Sequence, residues 1–142
     1  MVENLADALV RNGVDIRADF YTVHGGVSIT EFIYTMSNQD KIIIILTPTY
    51  KTRAIEGTGG VGYEYRIVSN SLLDHGPKAN LIPVLRRGDK ALSVPEPIGD
   101  LAYIDFRNDD SYDYCLDEIV NAVYEIPRRE KPSLGNPPIR KR

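Results

Sequence analysis

The sequence predicts an α/β fold, a parallel sheet with helices on both faces, and three features carry that prediction. Strand-like and helix-like patterns alternate along the 142 residues. In the run Lys41 to Thr47 (KIIIILT) every residue after Lys41 is β-branched or apolar, as expected of a strand covered on both sides. Leu116, Ile119, Val120 and Val123 recur at i, i+3, i+4 and i+7, one face of a helix that must pack on something. Alternation of this kind implies crossover connections and a parallel sheet between two helical layers.

The elements follow in order. Val2, Leu5, Ala6 and Leu9 fall at helical spacing and Gly13 stands where a left-handed cap would sit, so the chain opens on an amphipathic helix. Val14, Ile16, Ala18 and Phe20 alternate with Asp15, Arg17 and Asp19, the period-two pattern of a strand with one polar face. Gly25 and Gly26 break the chain, and Ser28 with Glu31 has the spacing of a capping box that starts a helix carrying Phe32, Ile33 and Met36 inward. After KIIIILT, Pro48 stops the strand and an irregular stretch is expected from Thr49 to Gly59, then a helix from about Gly60 to Asp74. Leu81 to Leu85 reads as a strand whose Pro83 lacks a ladder donor, which predicts a place near the sheet edge or a strand start. Gly88 to Gly99 reads as a loop, Ala102 to Phe106 as a strand, and Asp109 to Ser111 introduce the last helix.

Composition narrows the function classes. Hydrophobic residues make up 42% and charged residues 26%, enough apolar side chain for a core. Cys115 is the single cysteine and His24 and His75 the only histidines, so neither a disulfide framework nor a metal site is expected. The longest unbroken apolar run, Ile42 to Leu46, is far shorter than the ~20 residues of a membrane span. Glu3 and Asp7 occupy a stretch that is basic in signal peptides, and the expectation is a cytoplasmic protein. From Pro127 onward six basic residues face only Glu130, so this segment carries +5 and the body −8 of the net −3. A body this acidic is not expected to bind nucleic acid. The division expected is a folded unit at 1–126 and a basic, proline-rich tail at 127–142.

Ligands of parallel α/β sheets bind at the carboxyl ends of the strands, which directs attention to the loops 21–27, 47–62, 86–100 and 107–111. Gly57, Gly59 and Gly62 satisfy G-x-G-x-x-G, yet about ten residues separate them from the strand end at Thr47. The dinucleotide version of that motif works as a tight turn directly after a strand, so it is rejected here. What remains is a glycine-rich approach to a helix N-terminus, with Gly60 at the helix start and free backbone N–H groups that suit phosphate, or a plain loop. Glu64 sits in the first turn of that helix between Tyr63 and Tyr65. A carboxylate there gains from the helix dipole, but Val61, Ile67 and Val68 as its helical neighbours make it more informative than a solvated glutamate. Cys115 reads as a packing residue.

The runs IIIILTPTYK, GTGGVGYEYRIVSNSL, LIPVLRRG and YIDFRNDDSYD, in this order and spacing, resemble the bacterial branch of the Toll/interleukin receptor (TIR) domains and the related SEFIR group. The resemblance covers residues 5 to about 135. It implies a flavodoxin-like three-layer sandwich and, in many bacterial members, cleavage of the nicotinamide–ribose bond of NAD+, in roles such as antiviral signalling. NAD+ is then a substrate and no cofactor is needed. The family's catalytic glutamate falls on Glu64, and Tyr21, Tyr50, Gly60 and Tyr63 are the expected substrate-binding residues. Self-association, or association with other TIR domains, is the expected partnership, and a non-enzymatic adapter is the alternative. A nucleoside deoxyribosyltransferase, which also uses a glutamate on a similar sheet, is a more distant one. The sequence departs from the family in the loop 21–28, where acidic and arginine residues are replaced by Tyr21 to Ser28. It departs also in the family's central first strand, which is not found before the helix at 1–12. The favoured expectation is a truncated or misassigned start at Met1; the alternatives are that the neighbouring strands close the gap or that another chain donates a strand.

Overall fold

The computed structural model describes residues 2–18, 21, 41–57, 62, 65–66, 80–96, 98 and 102–139. The order of elements is α1 (Val2–Arg11), β1 (Ile42–Leu46), α2 (Pro48–Glu56), β2 (Leu81–Leu85), α3 (Lys90–Ser93), β3 (Ile104–Asp105), a 3-10 turn (Asp109–Ser111) and α4 (Tyr112–Val123). Among the described residues the three strands form one parallel sheet in the order β1-β2-β3. The helices predicted between Ser28 and Met36 and over most of 60–74 lie outside the described residues, although Gly62, Tyr65 and Arg66 are helical.

Side-chain alternation along the strands builds two cores. Ile42, Ile44, Leu46, Leu81 and Leu85 turn to one face, where they meet Tyr50 and Ala54 of α2 together with Val94 and Ile98. Ile82, Val84, Ile104 and Phe106 turn to the other face, against Leu5 and Leu9 of α1 and Cys115 and Ile119 of α4. Ile43 and Ile45 join this second cluster from its margin, half-buried. Both faces of the sheet are therefore covered, as the KIIIILT run requires. The result is the three-layer α/β arrangement that the alternation predicts.

Five local expectations are corrected. The stretch expected to be irregular after Pro48 is helix α2: Thr47 caps it, its Oγ1 accepting from Tyr50 N at 3.1 Å, Pro48 fills the first turn, and Gly57 ends it at φ 67°. Threonine, then proline, then glycine ten residues on is a start-and-stop signature, and reading Pro48 only as the end of a strand misses it. Pro83 lies in the central strand rather than near an edge, opposite Ile44. Arg86 N donates to Leu46 O and Phe106 N to Leu85 O. Period-two alternation therefore points the Pro83 nitrogen toward β3, whose ladder starts only at Val84 opposite Ile104, so no bond is lost. The fourth predicted strand shrinks to Ile104–Asp105, and the 88–99 loop contains α3, capped by Asp89 Oδ1 accepting from Leu92 N at 2.8 Å. Val14 to Ala18 are not a strand; together with Ile42, Ile43 and Ile45 of β1 they line an open cavity of about 530 Å³.

The amino end of β1 and the turn after α1 are tied by the end of α4. Tyr124 Oη donates to Gly13 O, and Lys41 Nζ meets Glu125 Oε1 at 2.6 Å. The ammonium beside Glu125 holds its carboxyl below the usual range. Residues 127–139, the described part of the basic tail, are exposed and carry no regular structure.

Cys115 is buried, its Sγ donating to Asp105 O at 3.2 Å, and burial pushes the thiol pKa up. Both effects disfavour the reactive thiolate. Labelling with a maleimide at pH 7.5 is expected to be at least about tenfold slower in the folded protein than in urea. Equal rates would place the thiol outside the core.

Candidate functional site

The candidate site is assembled from the chain that leaves β1. Leu46 is fully buried, and the cap at Thr47 turns the chain at once into α2, so that Tyr50 stands in its first turn with its ring in the core. α2 closes at Gly57, whose N–H bonds to Arg53 O at 3.0 Å and Ala54 O at 3.3 Å. Gly62 then comes back against Gly57. A β-carbon on Gly62 would lie 2.7 Å from the Gly57 α-carbon and overlap its carbonyl carbon as well. Tyr65 packs on the same cluster as Tyr50, Ile42 and Leu81.

Two of the three glycines in the G-x-G-x-x-G pattern thus have structural duties: Gly57 supplies a left-handed helix end, and Gly62 allows two backbones to touch. Neither requires a phosphate. Alanine at Gly62 cannot be seated without moving one backbone, and Gly62→Ala is expected to cost about 1–3 kcal/mol. Urea unfolding checks this; a variant as stable as the parent would show that the two segments are not held together.

The sequence-predicted site residues fare differently. Glu64, Gly60 and Tyr63 lie outside the described residues. Tyr50 is 9% exposed and belongs to the α2 face of the sheet. Tyr21 stands on the opposite side of the molecule, 42% exposed, with its hydroxyl donating to Asp7 Oδ1 of α1. That hydrogen bond to a carboxylate raises the Tyr21 pKa. The structure therefore does not bring Tyr21 and Tyr50 together, and the ring of Tyr50 has little face left for stacking.

A second cluster at the carboxyl ends of β2 and β3 escaped the sequence reading. Arg86, directly after β2, is 10% exposed; its Nη1 donates to Phe106 O at 3.0 Å and its Nη2 to Asp109 Oδ1 at 2.7 Å. Its guanidinium carbon lies 5.9 Å from the centre of the Phe106 ring. Arg107 makes a forked pair with Asp105, Nε to Oδ1 and Nη2 to Oδ2 both at 2.8 Å, and reaches Gly88 O at 3.2 Å. That pair holds the Asp105 carboxyl below its ordinary value. These arginines staple two strand ends to the loops beyond them, leaving little charge free for a ligand. The signal was present in RRG and in D-x-R, but charge spacing alone does not separate a staple from an anion site. Among the described residues no group of three or more His, Cys, Asp or Glu side chains is placed to hold a metal ion, and no helix is long and apolar enough to cross a membrane.

A parallel sheet between helical layers, with a capped helix and a glycine-to-glycine contact leaving its first strand, defines an α/β domain of the flavodoxin-like class. The family model for the TIR domain matches residues 1–120, and the chain belongs to that family. No curated protein and no solved structure matches it. Family membership supports a TIR-type function, which spans signalling through domain association and NAD+ cleavage.

Proposed function

We propose that this TIR domain is an NAD+ glycohydrolase that cleaves the nicotinamide–ribose bond, with Glu64 as the catalytic carboxylate and an assembled, self-associated form as the active state. The observation that carries the reading is the position of Glu64 within GTGGVGYEY in a chain matched by the TIR family model. Two neighbours of Glu64 support it, because Gly62 is locked against the end of α2 and Tyr65 against the core. Residues so anchored are suited to hold a catalytic group in a fixed position.

The chemistry asked of Glu64 is modest in kind. Breaking the bond from ribose C1 to the nicotinamide nitrogen returns the bonding pair to the pyridine, which leaves as a neutral molecule, and positive charge develops on C1 and the ring oxygen. A carboxylate close to the ribose hydroxyls orients the sugar and stabilises that charge, the same demand met in glycoside hydrolysis. Water, or a hydroxyl of the same molecule, then adds at C1 and gives up a proton. Gly60 and Tyr63 are the neighbours proposed to contact the dinucleotide. Tyr21 and Tyr50 are less suited, given one engaged hydroxyl and one buried ring. A role in antiviral signalling accompanies this reading.

The alternative is an adapter that only associates with other TIR domains. Incubating the protein with NAD+ over a range of protein concentrations, with sedimentation in parallel, separates the two. The enzyme reading expects nicotinamide in a 1:1 ratio to NAD+ lost, at a rate per protein that climbs as the assembly forms. Assembly with NAD+ left intact would establish the adapter.

A further inference from the structure

Residues 127–142 carry a charge opposite to that of the rest of the chain. Six basic residues stand there against Glu130 alone, beside a body of net −8. Attraction between the two would fold the segment back onto the body, and the structure shows little of that. Arg128 pairs with Glu118 of α4, Nε with Oε1 at 3.2 Å and Nη2 with Oε2 at 3.3 Å. Arg129 and Lys131 make no ion pair with any described residue, although Asp113 and Asp117 lie exposed on the same helix. From Pro127 to Ile139 the chain is exposed throughout, and Leu134 and Ile139 hold their side chains in water at 94% and 95% exposure. One bare aliphatic residue is ordinary. Two within a basic segment, the second directly before Arg140, Lys141 and Arg142, suit a partner that offers anionic and apolar surface together.

The anionic partners differ in what they ask. A nucleic acid would meet the charge, but residues 127–142 contain no Phe, Tyr or Trp on which a base could stack, and Leu134 and Ile139 would be left in water. A free phosphate needs several donors converging on one point, whereas Arg129 and Lys131 stand on an exposed chain with no concave wall. The surface of an anionic membrane answers both halves: its headgroups take the basic side chains, and the acyl boundary below them takes leucine and isoleucine. Pro127, Pro132, Pro137 and Pro138 keep the segment from coiling into a helix. At the rise of an extended proline-rich chain, residues 127–139 reach about 40 Å beyond α4. Charge is screened within about 8 Å at physiological salt, so the acidic body can stand several screening lengths away from the surface that the segment meets.

We propose that residues 127–142 are a membrane-contact segment that holds this domain at an anionic lipid surface, its basic side chains on the headgroups and Leu134 and Ile139 in the acyl boundary. The proposal is independent of the NAD+ reading, since it concerns the segment after α4 and not Glu64.

The test is sedimentation of the whole chain with vesicles of equal parts phosphatidylglycerol and phosphatidylcholine, and with vesicles of phosphatidylcholine alone. Two variants accompany it, one combining Arg140→Gln, Lys141→Gln and Arg142→Gln, the other Leu134→Ser and Ile139→Ser. Thermal midpoints equal to that of the parent establish that both are folded. The expected result is binding to the mixed vesicles at least about tenfold tighter than to phosphatidylcholine, and lost at about 0.5 M salt. A basic side chain near such a surface is worth about fivefold in affinity, so the glutamine variant should bind about 10- to 100-fold more weakly. The serine variant should bind about three- to tenfold more weakly. Five results would overturn the proposal. No binding to the mixed vesicles would mean that the segment is only solvated. Equal binding to both vesicle types would mean an apolar attachment without charge. A glutamine variant that binds like the parent would place the contact elsewhere on the chain. A serine variant that binds like the parent would mean that neither aliphatic side chain enters the lipid. Duplex DNA bound as tightly as the mixed vesicles, at equal phosphate concentration, would assign the segment to nucleic acid.

Discussion

Replacing Phe106 by alanine is expected to remove about 3–5 kcal/mol of stability, the upper range for truncating a buried aromatic residue. Phe106 is 1% exposed and follows β3 at the centre of the α4-side core. Its ring stands edge-on to Tyr112, with centroids 5.4 Å apart and planes at 90°, and lies beneath the guanidinium of Arg86. The substitution therefore opens a cavity, loses an aromatic pair and lets water reach Arg86, while the backbone carbonyl that Arg86 uses is kept. For a domain whose whole stability is ~5–15 kcal/mol, such a loss leaves a visible unfolded fraction or a much lower urea midpoint. The exposed Ile126, at 52%, is the control: Ile126→Ala should stay within about 0.5 kcal/mol of the parent. A Phe106→Ala protein within 1 kcal/mol of the parent would mean that this core is not packed as described.

The second large effect is on activity. Glu64→Gln keeps the size of the side chain and removes its charge, so it tests the electrostatic role and little else. Stabilisation of a developing cation by one fixed charge is ordinarily worth about 10² to 10³ in rate. The variant should lose about that factor in kcat, with KM for NAD+ changed much less, because the charge it complements exists only in the transition state. Glu64→Ala should behave similarly in kcat. A rise in KM at constant kcat would instead assign Glu64 to substrate binding.

Much of the fold is legible in the sequence, for identifiable reasons. Ile42 to Leu46 has no polar position and so reads as a strand covered on two sides; the face of α4 repeats without a break; Cys115 lies in line with Ile119 and is buried with it. The errors come from residues with two meanings. Pro48 ends a strand and also begins a helix, and only Thr47 before it and Gly57 after it reveal the second meaning. Pro83 suggests an edge unless one knows that its neighbour β3 begins one residue later. The alternation in 14–20 states which side chains would face inward, but a strand exists only when a partner lies alongside, and among the described residues 14–18 have a cavity there.

The site was less legible than the fold. Burial of Tyr50 follows from its place in the first turn of α2, and that helix was not anticipated. The engagement of Tyr21 by Asp7 depends on how α1 lies beside residue 21, which local sequence does not encode. Glu64 stands out by its apolar helical neighbours, but its chemical role comes only through the resemblance to TIR domains. The arginine staples at Arg86 and Arg107 show the converse: charged residues at strand ends that local sequence cannot separate from a ligand site, and that the structure pairs internally.

The most direct measurement is the initial rate of nicotinamide release from NAD+ by the parent and by Glu64→Gln, at a protein concentration where the parent is assembled and with matching circular dichroism spectra. The predicted result is steady release by the parent and a rate at least about 100-fold lower in the variant. Release at the same rate by both proteins would contradict the assignment of Glu64, and absence of release from the assembled parent would contradict the enzyme itself.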